Sequence, residues 1–365
     1  MLETSTISTR STSRGNARML VLRMLGIRLG LGILTLAVTS LIIFLTVAAL
    51  PGDFARASLG RSATPETVAA FQHELGLDRP LQERYINWIT NSFHGDLGLS
   101  LSSKPGHPRP VSEMIGPRLW NTMLLAILAA IISVPVSLGL GILLALWRGS
   151  WFDRTVSAVS LIVVSFPEFF IAYILTYLVF SKDTFINSGL AEMLPTWLSG
   201  TIEEGLRIIP SFPTIAVVDP STNFLDHIWR LSLPALTLML VISAHIIRMT
   251  RAVLISLLAS PYIEMAHLKG LPPIRIVARH AMQNAWGPIS TVVALNLAYL
   301  IAGVVMVEVV FVYPGVGQLM VDAVKARDIP VVQACALIFA ATYILLNLIA
   351  DIIGILTNPR LLHAR

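Results

Sequence analysis

The chain has 365 residues, of which 55% are hydrophobic and 13% charged; its net charge is +5 and its mean hydropathy +0.74. Soluble domains are about 25% charged, so this composition excludes a disordered chain, a basic nucleic-acid-binding domain and an ordinary soluble enzyme. It points to a protein that crosses a membrane several times. Cys335 is the single cysteine, which excludes an intrachain disulfide and a cysteine metal cluster.

The chain opens with a basic arm, residues 1–28, carrying Arg10, Arg14, Arg18, Arg23 and Arg28 against Glu3 alone. An uncharged run follows over residues 29–50. A basic start before an apolar run can be a signal peptide, and Val47-Ala48-Ala49 faintly resembles a cleavage site. The run is too long for a typical signal core, and Pro51 disfavours cleavage after Leu50, so it is expected to stay as a first span.

Residues 51–118 form a long polar segment, expected outside the membrane. Thr64-Pro65-Glu66 reads as a cap, a first-turn proline and a first-turn acid. Gly76 suits the stop of that helix. Leu81, Tyr85, Trp88 and Ile89 then share a helical face. The segment reads either as a small helical cap on the span ends or as a docking surface for a soluble partner.

Five further spans are expected, which makes six. They run over residues 119–147 with a kink at Pro135, 155–180 broken at Pro167-Glu168, 231–247, 286–307 and 329–350. The segment 181–226 between the third and fourth spans is interrupted by Pro195, Pro210, Pro213 and Pro220. It is made acidic by Glu192, Glu203, Glu204, Asp219 and Asp226. It reads as a solvated loop or as an acidic lining that favours cationic solutes. An even number of spans puts both termini on one side. The arm, the short loop at 148–154, the loop after Ile247 and the tail hold 14 of the 26 basic residues but 3 of the 21 acidic ones. Both termini are therefore expected in the cytoplasm.

Sites for bond chemistry are missing from the sequence. There is no phosphate-loop motif, no HExxH, no CxxC and no GxSxG, and the histidines lack metal-ligand spacing. Asp53, Glu74, Asp78 and Asp96 read as caps and surface charge rather than as a catalytic pair. Ionisable residues inside spans are costly and point to function. Glu168 stands at the break of the third span, His245 near the cytoplasmic end of the fourth and Asn296 in the fifth, and these three are the candidates for a translocation pathway. Asn296 and Asn347 also suit interhelical contacts. Glu308, Arg248 and Asp351 are expected near the interfaces, with Asp351 structural.

The loop after the fourth span carries the most information. Pro261 opens a short helix with Glu264 in its first turn, Gly270 suits a left-handed stop, and Pro272-Pro273 restarts the chain. Ile274, Val277, Ala278 and Ala281 then recur at helical spacing. This is a helix–turn–helix at the cytoplasmic face.

The sequence Glu264-Met265-Ala266, three residues, Gly270 resembles the EAA loop of ABC-importer permeases. Arg279-His280-Ala281-Met282-Gln283-Asn284-Ala285 resembles the form found in the dipeptide, oligopeptide and nickel branch. Residues 63–66, 75–81 and 95–98 resemble that branch's external segment. Residues 308–317 and 326–330 resemble its approach to the last span, and Asp351 with Asn358-Pro359-Arg360 its ending. The resemblance covers about residues 29–362. Met265 replaces the first alanine of the signature, the Ile-x-Leu-Pro tail is absent, and the acidic stretch 201–226 is longer than the branch leads one to expect.

The resemblance implies an all-α, six-span permease subunit of type I architecture, not an enzyme, in the bacterial inner membrane. Residues 119–362 would be the permease core, with the coupling loop at about 260–285, and 363–365 the cytoplasmic tail. It implies a second homologous permease subunit, which is either a distinct chain or a second copy. Two cytoplasmic ATPase subunits and an external solute-binding protein complete the assembly. No cofactor is expected on this chain; ATP and Mg would sit on the ATPases. Glu264, Met265, Ala266, Lys269, Gly270 and Leu271 would form the ATPase-coupling loop. Peptides lead the substrate candidates, with nickel complexes, glutathione, opines and oligosaccharides open. The rivals are an ion-gradient-driven secondary transporter and an intramembrane enzyme. The first would need a relay of membrane acids or inverted repeats, and the second a catalytic dyad.

Overall fold

A computed structural model describes residues 9–49, 64–74, 78–102, 109–187, 204, 210–219 and 221–357. Asp53, Gly76, Glu192, Pro195, Glu203, Pro220 and the Asn358–Arg360 ending lie outside them. The described chain is helical, with one isolated backbone bridge between Leu99 and Pro110.

Helix α1 (Thr9–Ala48) takes in much of the basic arm as well as the first apolar run. Helices α2 (Pro65–Glu74) and α3 (Leu81–Phe93) follow. Helix α4 (Val111–Leu146) begins earlier than the apolar run and passes through Pro135 as one element. The third span is two helices, α5 (Trp151–Ser165) and α6 (Glu168–Asn187), bent by 112° at the break. The bend sits at Pro167, which lacks the N–H a continuous helix needs and forces Phe166 into extended backbone. Helices α7 (Phe224–Arg230) and α8 (Ser232–Leu258) lead to α9 (Pro261–Leu268). Helix α10 (Pro273–Ile276) runs through a π-helical stretch (Val277–Ala281) into α11 (Met282–Val310). Helices α12 (Val316–Ala326) and α13 (Ile329–Leu356) complete the chain. Among the described residues, five elements are long and apolar enough to cross a membrane, six if the bent pair counts as one.

The chain divides into two compact units, Met1–Asn121 with Gly315–Ile352 and Pro359–Arg365, and Thr122–Pro314 with Ile353–Asn358. In the first unit the helices of the segment after the first span pack on it. Thr64 Oγ1 accepts from the Thr67 backbone N–H at 3.2 Å, closing the start of α2 as the sequence predicts. Tyr85 and Trp88 of α3 stack around Phe44 of α1, with ring centroids 5.5 and 6.0 Å away. The Tyr85 hydroxyl lies 2.8 Å from Ser40 Oγ.

Asp328, before α13, is 1% exposed. Its carboxylate accepts from Ser100 Oγ at 2.5 Å and Ser102 Oγ at 2.6 Å, and from the N–H groups of Leu101 and Ser102 at 3.1 and 3.2 Å. A buried charge is tolerable when it is hydrogen-bonded this fully. Asp351 pairs with Arg28 at 2.9 Å.

The second unit holds two apolar clusters. One gathers Leu125, Leu233, Leu238, Ile246, Val304, Phe311 and Tyr313 from α4, α8, α11 and the turn after it. The other gathers Ala145, Leu254, Ile263, Ala266, Ile276, Ala281, Met282, Ala285 and Ile289, and so ties α9 and the π-helical stretch to the adjoining ends of α4, α8 and α11. Asn296 and Asn347 donate to the carbonyls of Val292 and Tyr343 in their own helices, so their bonds are intrahelical rather than between helices.

Candidate coupling loop and translocation site

The connection after α8 is built as a rigid turn. The N–H groups of Ile263 and Glu264 both meet the Ser260 carbonyl, which starts α9. At its end Gly270 has φ +73. The Gly270 N–H bonds to the His267 carbonyl at 2.9 Å and the Leu271 N–H to the Ala266 carbonyl at 3.3 Å. That pair of bonds is a Schellman stop, which needs the left-handed residue that glycine supplies.

The α9 surface is two-faced. Ile263 and Ala266 are buried in the second apolar cluster and Leu271 packs half-buried against it. Glu264, Met265, Leu268, Lys269 and Gly270 are exposed. Of the residues expected to couple, Ala266 and Leu271 therefore seat the loop, while Glu264, Met265, Lys269 and Gly270 lie on its outer face. The restart helix departs from the sequence reading. Ile276, Val277 and Ala281 are its buried residues, whereas Ile274 is 73% exposed and Ala278 also faces out. The π-helical stretch adds a residue to the turn and rotates the face that a strict 3.6 period assigns.

Glu168 is the first residue of α6, directly after the break. Its side chain is half-buried and lines a small cavity with Leu238, Val241, Ile242, Tyr299, Leu300 and Gly303. A methyl group at Gly303 would lie 3.3 Å from Leu238 Cδ2 and in ordinary contact, 3.7 Å, with Glu168 Cγ. Of the three residues expected along a pathway, Glu168 lines this cavity, and His245 and Asn296 are not among its lining residues.

Three features escaped the sequence. Glu308, expected at an interface, is fully buried and accepts from Thr122 Oγ1 at 2.6 Å. His227 Nε2 lies 2.9 Å from the Tyr313 hydroxyl. Burial, and then Arg230, hold His227 below the usual imidazole range. Burial, and then Glu308, push the Tyr313 phenol up. Asp153, counted above only as one acid in a basic loop, is buried in a two-pronged pair with Arg251. No spacing rule links residues 98 positions apart. The one available signal was a lone acid among arginines in a short loop.

Comparison with known proteins places these features. Residues 137–363 match the model of the binding-protein-dependent transport system inner membrane component, and residues 17–106 match the N-terminal model of such membrane components. The chain is 35% identical over 341 residues to the dipeptide transport system permease protein DppB of Escherichia coli (strain K12), covering 93% of this chain and 98% of that one. It is 34% identical over 325 residues to the glutathione transport system permease protein GsiC of Escherichia coli O6:H1 (strain CFT073), covering 89% and 94%. It is 34% identical over 329 residues to the probable peptide ABC transporter permease protein y4tP of Sinorhizobium fredii (strain NBRC 101917 / NGR234), covering 90% and 96%. With most of its length and nearly all of each relative's aligned, the chain belongs to the family of binding-protein-dependent transport system inner membrane components, the multi-pass permease subunits of ABC importers.

Proposed function

We propose that this permease forms half of an import pathway for peptides, paired with a second homologous permease subunit and served by an external solute-binding protein. As in the family, ATP is hydrolysed on separate subunits and this chain is not an enzyme. Two such ATPase subunits serve the permease pair, and one of them docks on the exposed face of α9, where Glu264, Met265, Lys269 and Gly270 present the turn. No cofactor resides on this chain. Peptide specificity is inferred from the relatives named for dipeptide, glutathione and peptide transport. The observation that carries the coupling reading is the construction of α9: a short helix with an apolar underside fixed to the span ends and a Schellman-capped outer face left exposed.

The mechanism follows from rigidity. Closure of the ATPase dimer on ATP displaces α9, and α9 cannot flex away from the span ends because Ile263 and Ala266 are packed among them. The spans tilt as bodies, the class of switch described for rigid-body transitions. Glu168 and His245 line the path that opens, and the carboxylate meets the ammonium group of an incoming peptide. The domain limits that follow are a first span at 29–50, an external segment at 51–118 and a core at 119–362.

Reconstitution tests the function. The permease pair and the ATPases in proteoliposomes, with the binding protein and labelled dialanine, should take up peptide only with ATP. Uptake driven by an ion gradient without ATP would instead favour a secondary transporter. Orientation is tested by labelling. With Cys335 replaced, cysteines at Thr67 or Ser221 should react with an impermeant maleimide in intact cells, and one at Ser13 should not. Reaction at Ser13 from outside would reverse the proposed topology.

A further inference from the structure

We infer that the Asp153–Arg251 ion pair is the strut that carries movement of α9 to the broken span bearing Glu168; this rests on α9 being the ATPase-docking helix. Arg251 Nε donates to Asp153 Oδ1 at 2.6 Å and Nη2 donates to Oδ2 at 2.8 Å. The Asp153 side chain is 4% exposed. A guanidinium fork on a carboxylate fixes angle as well as distance, which a single contact does not.

Each end of the pair is anchored. Gly149 N–H donates to Asp153 Oδ2 at 2.9 Å, and Ser150 Oγ accepts from the Asp153 N–H at 3.1 Å, so the carboxylate moves with the first turn of α5. Arg251 lies one turn before Leu254, which is fully buried in the cluster that holds Ile263 and Ala266 of α9. Beside it, α8 meets α4 at close range. A methyl group on Gly141 would lie 2.7 Å from Thr250 Cβ and 3.2 Å from the Ile247 carbonyl oxygen. The cytoplasmic part of α8 therefore has little room to slip independently.

Helix α5 starts at this pair and ends at the Pro167 bend, with Glu168 immediately beyond. Its 15 residues make a rod of about 22 Å. Displacement of α9 passes through the Leu254 packing to Arg251, across the fork to Asp153, and along α5 to the bend. The bend supplies the joint, because Phe166 and Pro167 are outside helical geometry. The alternative is a brace that only holds the fold together. A brace, when lost, reduces the amount of assembled complex but leaves the surviving complexes coupled. A strut, when lost, leaves complexes that bind ATPases and no longer respond to them.

The test uses the assembled complex with Cys335→Ala and a reporter cysteine at Val241, which lines the Glu168 cavity. Maleimide labelling is compared with and without ATP plus vanadate, and ATPase co-purification is measured on the same samples. In the native complex trapping should change the labelling rate by about tenfold or more; in Asp153→Asn the ATPases should still co-purify while the change falls below about twofold. Arg251→Lys, which keeps the charge and loses the fork, should fall between. A native-sized response in Asp153→Asn overturns the strut, as does loss of the ATPases from that variant, which would make the pair a support of the docking surface. Should Asp153→Asn fail to assemble, Arg251→Lys decides: a native-sized response there means the fork is dispensable. A native complex whose labelling ignores ATP removes the pathway reading itself, a different failure.

Discussion

Gly270→Val is expected to leave the spans inserted and to disconnect ATP hydrolysis from uptake. The glycine sits at φ +73, and a side chain there would meet no atom within 4 Å. The penalty is therefore not a clash but the backbone itself. A left-handed residue other than glycine costs about 1–2 kcal/mol, and a β-branched one is among the worst tolerated. Helix α9 has eight residues, too few to be stable alone, and relies on its packing and its stop. When residue 270 leaves the left-handed region, the Gly270–His267 and Leu271–Ala266 bonds are lost together. Leu271 then leaves its place against the buried cluster. A shift of about 1–2 kcal/mol changes the populated fraction of a marginal element by a factor of roughly 5–30. ATPase co-purification and binding-protein-stimulated hydrolysis should fall by about that factor. Gly270→Asn, which tolerates the left-handed region, should be nearly native, and Glu264→Ala, on the exposed face, should show a weaker loss. Full ATPase retention, stimulation and uptake in Gly270→Val would mean that this loop does not couple the two machines.

The legibility of this chain follows physical range. Local rules found α9, because proline starts, glycine stops and first-turn acids act within a turn or two. The same rules found the Thr64 cap and the break at Pro167. They failed where the fold brings distant residues together. Asp328 is one acid after a short amphipathic helix in sequence; its four donors come from residues 100–102. Asp153 and Arg251 look like loop charges until the fold buries one against the other. The restart helix misled for a subtler reason: a period of 3.6 assigns faces only while the turn stays α-helical, and Val277–Ala281 does not. Asn296 and Asn347 show the opposite limit, since a polar residue in a span can satisfy itself on its own helix without a partner. The surroundings of Glu168 were half legible. The cost of burying an acid singled out Glu168, but the cavity it shares with Leu238, Tyr299 and Gly303 is a property of packing.

Glu168→Gln is expected to lower peptide uptake by about tenfold or more while the complex assembles normally. The substitution keeps size and shape and removes only the charge. That charge is placed where it can act on a solute. It opens α6, so the N-terminal end of the helix dipole favours an anion there. No hydrogen bond to its carboxylate is found among the described residues, in contrast to the four that hold Asp328. A carboxylate in a span without such donors is a poor brace and a good ligand for a cation that arrives from outside. A tenfold loss corresponds to about 1.4 kcal/mol, below the range of about 2–5 kcal/mol for removing one partner of a desolvated charge pair. Gly303→Val should act in the same direction for a different reason, since its first side-chain atom would already meet Leu238 at 3.3 Å and the branches would fill the room beside Glu168. The measurement is dialanine uptake by reconstituted complexes, with thermal stability and ATPase stoichiometry taken on the same preparation. If Glu168→Gln lowers stability and the surviving complexes transport at the native rate, the acid braces the bend; if both are native, it belongs to neither role.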